Sequence, residues 1–175
     1  VSLTVAKGEI LGLFGLVGAG RPELLKLISG AARPRGGTVR VGGRAVAISS
    51  VRDSIRAGIV LCPEDRRKEG IIPVRSVMEN INLSARRRTA HLGFVVNERW
   101  ERENAAGQVN ALTIRTPSLR QAVRNLSGGN QQKVILARWL SEQVRVLLLD
   151  EPTRGIDIGA KSEIYRIIGR LVGEG

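Results

Sequence analysis

The stretch from Leu126 to Asp157 constrains this chain more than any other. It reads LSGGNQQK over 126–133, then a spacer of helical length ending in the apolar run Val146-Leu147-Leu148-Leu149, then DEPTRGID over 150–157. An apolar run that closes on two adjacent acids reads as a buried parallel strand. Such a strand delivers Asp150 and Glu151 to the carboxyl edge of a sheet, where open α/β folds handle nucleotide phosphates and Mg²⁺. The expected class is therefore α/β, with a ligand site at that edge.

Ser127-Gly128-Gly129 precedes a helix-forming segment, Asn130 to Leu140. Free N–H groups and the positive end of the helix dipole would point outward there, which makes an anion site. The plainer alternative is that Ser127 is an ordinary N-cap and the glycines a turn. Earlier in the chain, Glu9 to Phe14 reads as a strand running into GLVGAGRPEL, which predicts strand, glycine loop and helix. Gly15, Gly18 and Gly20 let the backbone curl so that its N–H groups cradle phosphates. The full phosphate-loop pattern ends in Gly-Lys-Ser/Thr, whereas this loop ends in Gly20, Arg21 and Pro22. Arg21 keeps the charge on a broader planar head. Pro22 removes both the hydroxyl that would ligate Mg²⁺ and a backbone N–H, though proline suits a first helical turn. A purely structural strand-turn-helix is the alternative for this loop.

Four motifs in this order, GLVGAGRPEL, CPEDRRKEG, LSGGNQQK and DEPTRGIDIGAK, resemble the nucleotide-binding domain of ATP-binding cassette (ABC) transporters. They look most like the second, C-terminal cassette of the fused double-cassette proteins that power monosaccharide import of the ribose, xylose and galactose type. The resemblance covers essentially the whole chain. It implies a P-loop NTPase cassette core with a mixed sheet and an all-helical signature subdomain. Residues 1–72 and 146–175 would form the catalytic core and 73–145 the helical part.

The resemblance also implies the site. Gly15, Leu16, Val17, Gly18, Ala19, Gly20, Arg21 and Pro22 would hold the phosphates of ATP. Asp150 would hold Mg²⁺ through water, and Glu151 would be the general base that polarises the attacking water. Glu64 stands where cassettes usually carry the Q-loop glutamine. A solvated charged turn is the other reading of 64–69. Ser127, Gly128 and Gly129 would complete the ATP site of a second cassette paired head to tail, in the full-length protein part of the same polypeptide. There a side chain at Gly128 is expected to block the γ-phosphate. Asp157 falls in the dimer-contact loop and can equally cap the last helix, where Ile158, Ile164, Ile168 and Leu171 recur at helical spacing.

Further implied partners are a transmembrane permease and, indirectly, a secreted sugar-binding protein, which would place the chain peripherally on the cytoplasmic face of the membrane. The family carries an adenine-stacking aromatic before the position of Val1, and a further strand and switch histidine after Gly175. The chain is therefore expected to be a piece truncated at both ends.

Composition bounds the alternatives. One domain is expected from 175 residues, and no apolar run is long enough to span a membrane. A single cysteine, Cys62, excludes an internal disulfide and is compatible with a reducing compartment. No signal-peptide pattern opens the chain, and Val1 to Val5 reads as part of a strand. The net charge of +12 raises a soluble ABC ATPase acting on nucleic acid as an alternative. With only 3% aromatics there is little to stack bases on, so no nucleic-acid partner is expected. The damaged P-loop raises a second alternative, a non-hydrolytic half that only completes its partner's ATP site. Arg86-Arg87-Arg88 is read as a solvent-facing run, with lipid headgroups as the other option, and His91 as a surface loop residue.

Overall fold

The computed structural model describes residues 1–16, 18–90 and 95–174. Val17, His91 and Gly175 lie outside them, so the expectations for Val17 and His91 concern residues that are not described, and Arg87 is described by its backbone alone. A glycine loop leads into α1 (Arg21–Ile28), followed by a hairpin of β1 (Val39–Val41) and β2 (Arg44–Val46), then α2 (Val51–Arg56) and β3 (Ile59–Cys62). A single wide turn of π type spans Arg66–Gly70. The helices α3 (Val77–Asn82), α4 (Arg86–Thr89) and α5 (Glu98–Ala111) come next, with a 3₁₀ turn at Val123–Asn125. The chain continues with α6 (Gly128–Leu140), β4 (Val146–Leu149) and α7 (Ile158–Gly173).

Local chemistry explains most of these boundaries. The β1–β2 hairpin turns on Gly42 and Gly43, at φ of 56° and 76°, the pair of positive values that a tight two-residue turn demands. Ser76 and Glu79 form a reciprocal capping box at the start of α3. Asp157 caps α7 by accepting the Ala160 N–H at 2.9 Å. The α7 register differs in one respect from the sequence pattern. Ile164 and Ile167 are the buried residues, whereas Ile158 is 84% exposed.

The parallel ladder pairs β3 with β4, Ile59 opposite Val146 and Cys62 opposite Leu149. It extends one residue further, since the Asp150 N–H donates to the Cys62 carbonyl at 3.0 Å. Both strand directions expected of a mixed sheet occur among the described residues, but in separate two-stranded ladders. The strands expected at Val1–Val5 and Glu9–Phe14 do not form. An extended run becomes a strand only when a neighbour accepts its ladder bonds, and neither β3 nor β4 pairs with this segment, so Phe14 stands 98% exposed.

The core gathers around α6. Val134, Ile135, Leu136 and Ala137 are buried against Val77 and Ile81 of α3, Ala105 of α5, Cys62 of β3, and Ile164 and Ile167 of α7. Two polar residues of α6 enter this core with carbonyl partners, whereas the buried Gln132 amide nitrogen has none. Arg138 donates to the Asn80 and Gly70 carbonyls at 2.8 and 2.7 Å, and the Gln131 amide donates to the Leu126 carbonyl at 3.0 Å. In the arginine run Arg86 is half-buried and Arg88 is exposed, and both find acid partners. Arg86 makes a two-pronged pair with buried Glu101, at 2.6 and 3.0 Å, and Arg88 reaches Glu142 and the Ser141 carbonyl.

Candidate functional site

Two clefts lie at the two ends of the 150–157 loop. The first opens at the carboxyl end of β4. It is a cavity of about 60 Å³ that brings together Pro22, Lys26, Glu64, Asp65, Glu69 and Asp150. Sequence reasoning selected Pro22, Glu64 and Asp150; Lys26, one turn into α1, was not singled out. Asp150 is 8% exposed. Burial, then the neighbouring Glu151 carboxylate, push its carboxyl above the usual carboxylate range, with Lys26 and Arg21 opposing.

The glycine loop beside it keeps the expected curl. Gly18 and Gly20 sit at φ of 85° and 82°, and the Ala19 N–H closes a turn onto the Leu16 carbonyl at 3.0 Å. Gly20 is the N-cap of α1, with Arg21 and Pro22 in its first turn. The Arg21 Nε is buried without an acceptor, and an orphaned donor at a glycine loop fits an anionic group such as phosphate. The other end of Arg21 is engaged unexpectedly: its Nη2 lies 3.7 Å from Glu151 Oε1. Glu151 itself sits at φ of 41°, a left-handed conformation that costs a non-glycine residue about 1–2 kcal/mol. Glu64, which lines the same cleft, pairs with the Arg154 guanidinium.

The residues fit Mg²⁺ only in one way. Among the described residues no cluster of three or more acids, histidines or cysteines could hold a metal alone. Asp150, whose ionised form is disfavoured by burial and by Glu151, is the carboxylate that a cation would relieve. A single carboxylate acting with water and nucleotide phosphates is the usual Mg²⁺ arrangement.

The second cleft lies where α6 and α7 begin. It is a cavity of about 200 Å³ that brings Ser127, Gly129 and Asp157 together with Arg115, Asn130 and Ala160. Ser127 is indeed the N-cap of α6, and its Oγ accepts from the Asn130 side-chain amide at 2.9 Å. Asn130 Oδ1 in turn accepts the Arg115 N–H at 2.8 Å, which holds the Arg115 backbone at the mouth. Asn130 was legible in principle, because an amide side chain three residues after an N-cap reaches back to it. Nothing in the sequence marks Arg115. Gly129 has no room for a side chain: a Cβ there would stand 2.5 Å from the Ala160 Cβ of α7.

Gly128 is also hemmed in by the protein itself. A Cβ there would meet Arg66 Nη2 at 2.7 Å and the Gly155 carbonyl at 3.3 Å, so the protein itself fills that space. The segment after β3, read either as a Q-loop equivalent or as a solvated turn, is thus fastened against the 150–157 loop. The Arg66 guanidinium donates to the Arg154 carbonyl at 2.6 Å and to the Gly155 carbonyl at 3.0 Å.

Comparison with known proteins bears on the family and the fold. The sequence model described as ABC transporter matches residues 1–154. The arabinose import ATP-binding protein AraG of Pseudomonas savastanoi pv. phaseolicola is 59% identical over 175 residues, all of this chain and 34% of that protein. The protein of the same name from Mannheimia succiniciproducens is 60% identical over 170 residues, 97% of this chain and again 34% of the relative. The chain thus spans about a third of the length of the curated relatives it matches. Two solved structures share the fold. CbiO1 of Clostridium perfringens, described as part of an ABC transporter complex, superposes with a TM-score of 0.76 at 21% identity, over 99% of this chain and 66% of that one. The ATP-binding cassette MJ0796, in a dimeric post-hydrolysis state with ADP and Pi, gives 0.76 at 22% identity, over 98% and 73%. From its motifs, its fold and the match across residues 1–154, the chain belongs to the ABC transporter family.

Proposed function

We propose that this chain is an ATP-binding and ATP-hydrolysing cassette of a monosaccharide importer, and that its productive contribution is the turn that opens α6. The observation that carries this is the second cleft. Ser127 and Gly129 stand with Asp157 around an open cavity at a helix start, where the N–H groups of the first turn have no partners within the helix. Those dipoles would face the γ-phosphate of an ATP held by the P-loop of a second cassette and stabilise charge developing there. Similarity along nearly all of this chain to proteins named for arabinose import supports a sugar as cargo.

At the chain's own P-loop, Gly15 to Gly20 and the orphaned Arg21 Nε would meet phosphates, and Asp150 would hold Mg²⁺ through water. Mg²⁺ supplies charge neutralisation on the phosphates when bound. Glu151 would take the proton of the attacking water at a carboxylate oxygen. That role is compromised, because the Arg21 guanidinium stands against the same carboxylate and Pro22 offers no hydroxyl. The two composite sites would therefore be unequal. A permease would receive the work of closure, with the cassette peripheral on the cytoplasmic face and no nucleic acid involved.

In the full-length transporter, Gly128→Asp is expected to cut steady-state ATPase by about 100-fold or more, the usual cost of losing a preorganised anion site. Glu151→Gln should cost less than about tenfold, far below the loss of a fully used general base. Equal losses in the two variants would mean that both sites turn over, and the asymmetric assignment would be wrong.

A further inference from the structure

We infer that Arg66 is a positioning residue for the reaction: it fixes the opening turn of α6 and the 150–157 loop in one geometry, so the surface offered to the partner's ATP is set by the segment after β3. The inference rests on the signature-turn reading above. One guanidinium fork spans two consecutive carbonyls, Arg154 at 2.6 Å and Gly155 at 3.0 Å. Its Nη2 also occupies the place where a Gly128 side chain would be. The same group therefore bonds the 154–155 backbone and lies beside Gly128, next to the second cleft.

Arg66 is itself held. It opens the wide turn 66–70, whose N-cap Asp65 accepts the N–H groups of Arg67 and Lys68, both at 3.1 Å. At the far end of that turn the Gly70 carbonyl takes the buried Arg138 guanidinium at 2.7 Å, and Gly70 lies so close to Ile135 that a Cβ would stand 2.5 Å from its Cδ1. The turn is thus pinned to α6 downstream while its first side chain governs the start of α6. Glu64, two residues before Arg66, pairs with the Arg154 side chain and adds a second tie to the same loop. A planar fork can bridge two adjacent carbonyls, whereas an ammonium is a point donor that fits one at a time. None of the carbonyls that Arg66 holds belongs to the apolar core.

The test is made in the full-length transporter with Arg66→Met and Arg66→Lys, each measured for kcat, KM for ATP and thermal melting. Arg66→Met is expected to lower kcat by about tenfold or more, the scale of a mispositioned group, with KM and melting nearly unchanged. Arg66→Lys should recover part of the loss. A Met variant with kcat within about twofold of the wild type, or one whose loss merely tracks a lost fraction of folded protein, overturns the inference. Gly128→Asp measured in parallel separates the two readings. If it is inactive while Arg66→Met is active, only the role of Arg66 falls; if Gly128→Asp is itself active, the signature-turn reading falls and takes this inference with it.

Discussion

Asp150 shows how much of a site can rest on one carboxyl group. Its N–H completes the β3–β4 ladder, which fixes its backbone at the cleft, and burial with Glu151 beside it disfavours its charge. The linkage sign follows from the raised folded value. Below the ordinary carboxylate range both folded and unfolded chains carry the proton and nothing is lost. As pH rises, the unfolded chain ionises first and the folded state is penalised. Asp150→Asn is therefore expected to raise the melting temperature by a few degrees at neutral pH. The gain should shrink as the pH is brought below the ordinary carboxylate range. A melting series across pH checks this, and a variant less stable than the wild type at neutral pH would contradict it. Stability gained by deleting a charge that nucleotide chemistry needs is the trade-off expected at a functional site.

Among the elements, α6 ties the others together, and buried Lys133 is its main tie to the last helix. The Lys133 ammonium reaches the Thr113 carbonyl and Glu163 Oε2 of α7, both at 2.8 Å. Thr113 sits at φ of 51°, a left-handed turn that this bond helps to hold. The hydrogen bond from Lys133 first, then its charge, holds the Glu163 carboxyl below the usual range. That contribution is present above the ordinary carboxylate range and is lost as pH falls through the depressed value. Lys133→Met is expected to cost about 1–3 kcal/mol in urea unfolding at neutral pH, with a smaller difference in acid. The helices α6 and α7 and the strand β4 were legible because apolar period, capping residues and acids all agree at 126–157. The strand expected at Glu9–Phe14 was not, since a strand is defined by its neighbour and six apolar-rich residues do not name one. The Arg66 contacts lie 88 and 89 residues away along the chain, and no local pattern encodes them. The pairings of Arg86 and Arg88 were hidden for the same reason: their acid partners, Glu101 and Glu142, are distant in sequence.

At the scale of the whole molecule, a charge of +12 gives the impression of a surface awaiting a polyanion. Several arginines instead face inward, Arg138 onto carbonyls, Arg86 onto Glu101 and Arg66 onto the 154–155 loop. Cys62 offers a probe of global stability. It is fully buried between β4 and α6, and burial pushes its thiol up to about 12. Thiol labelling at mildly alkaline pH is expected to be negligible in the native protein and to follow the urea dependence of equilibrium unfolding. Rapid labelling without denaturant would mean that β3 opens locally. The end-to-end anchoring of α6 has one more consequence. At its C-terminal end Ser141 takes hydrogen bonds from Asn104 and Arg88. At its N-terminal end Gly129 abuts Ala160 with no intervening side chain. A helix has a fixed rise per residue, so the two anchors make α6 a spacer of set length between the α4–α5 side and the turn at Ser127.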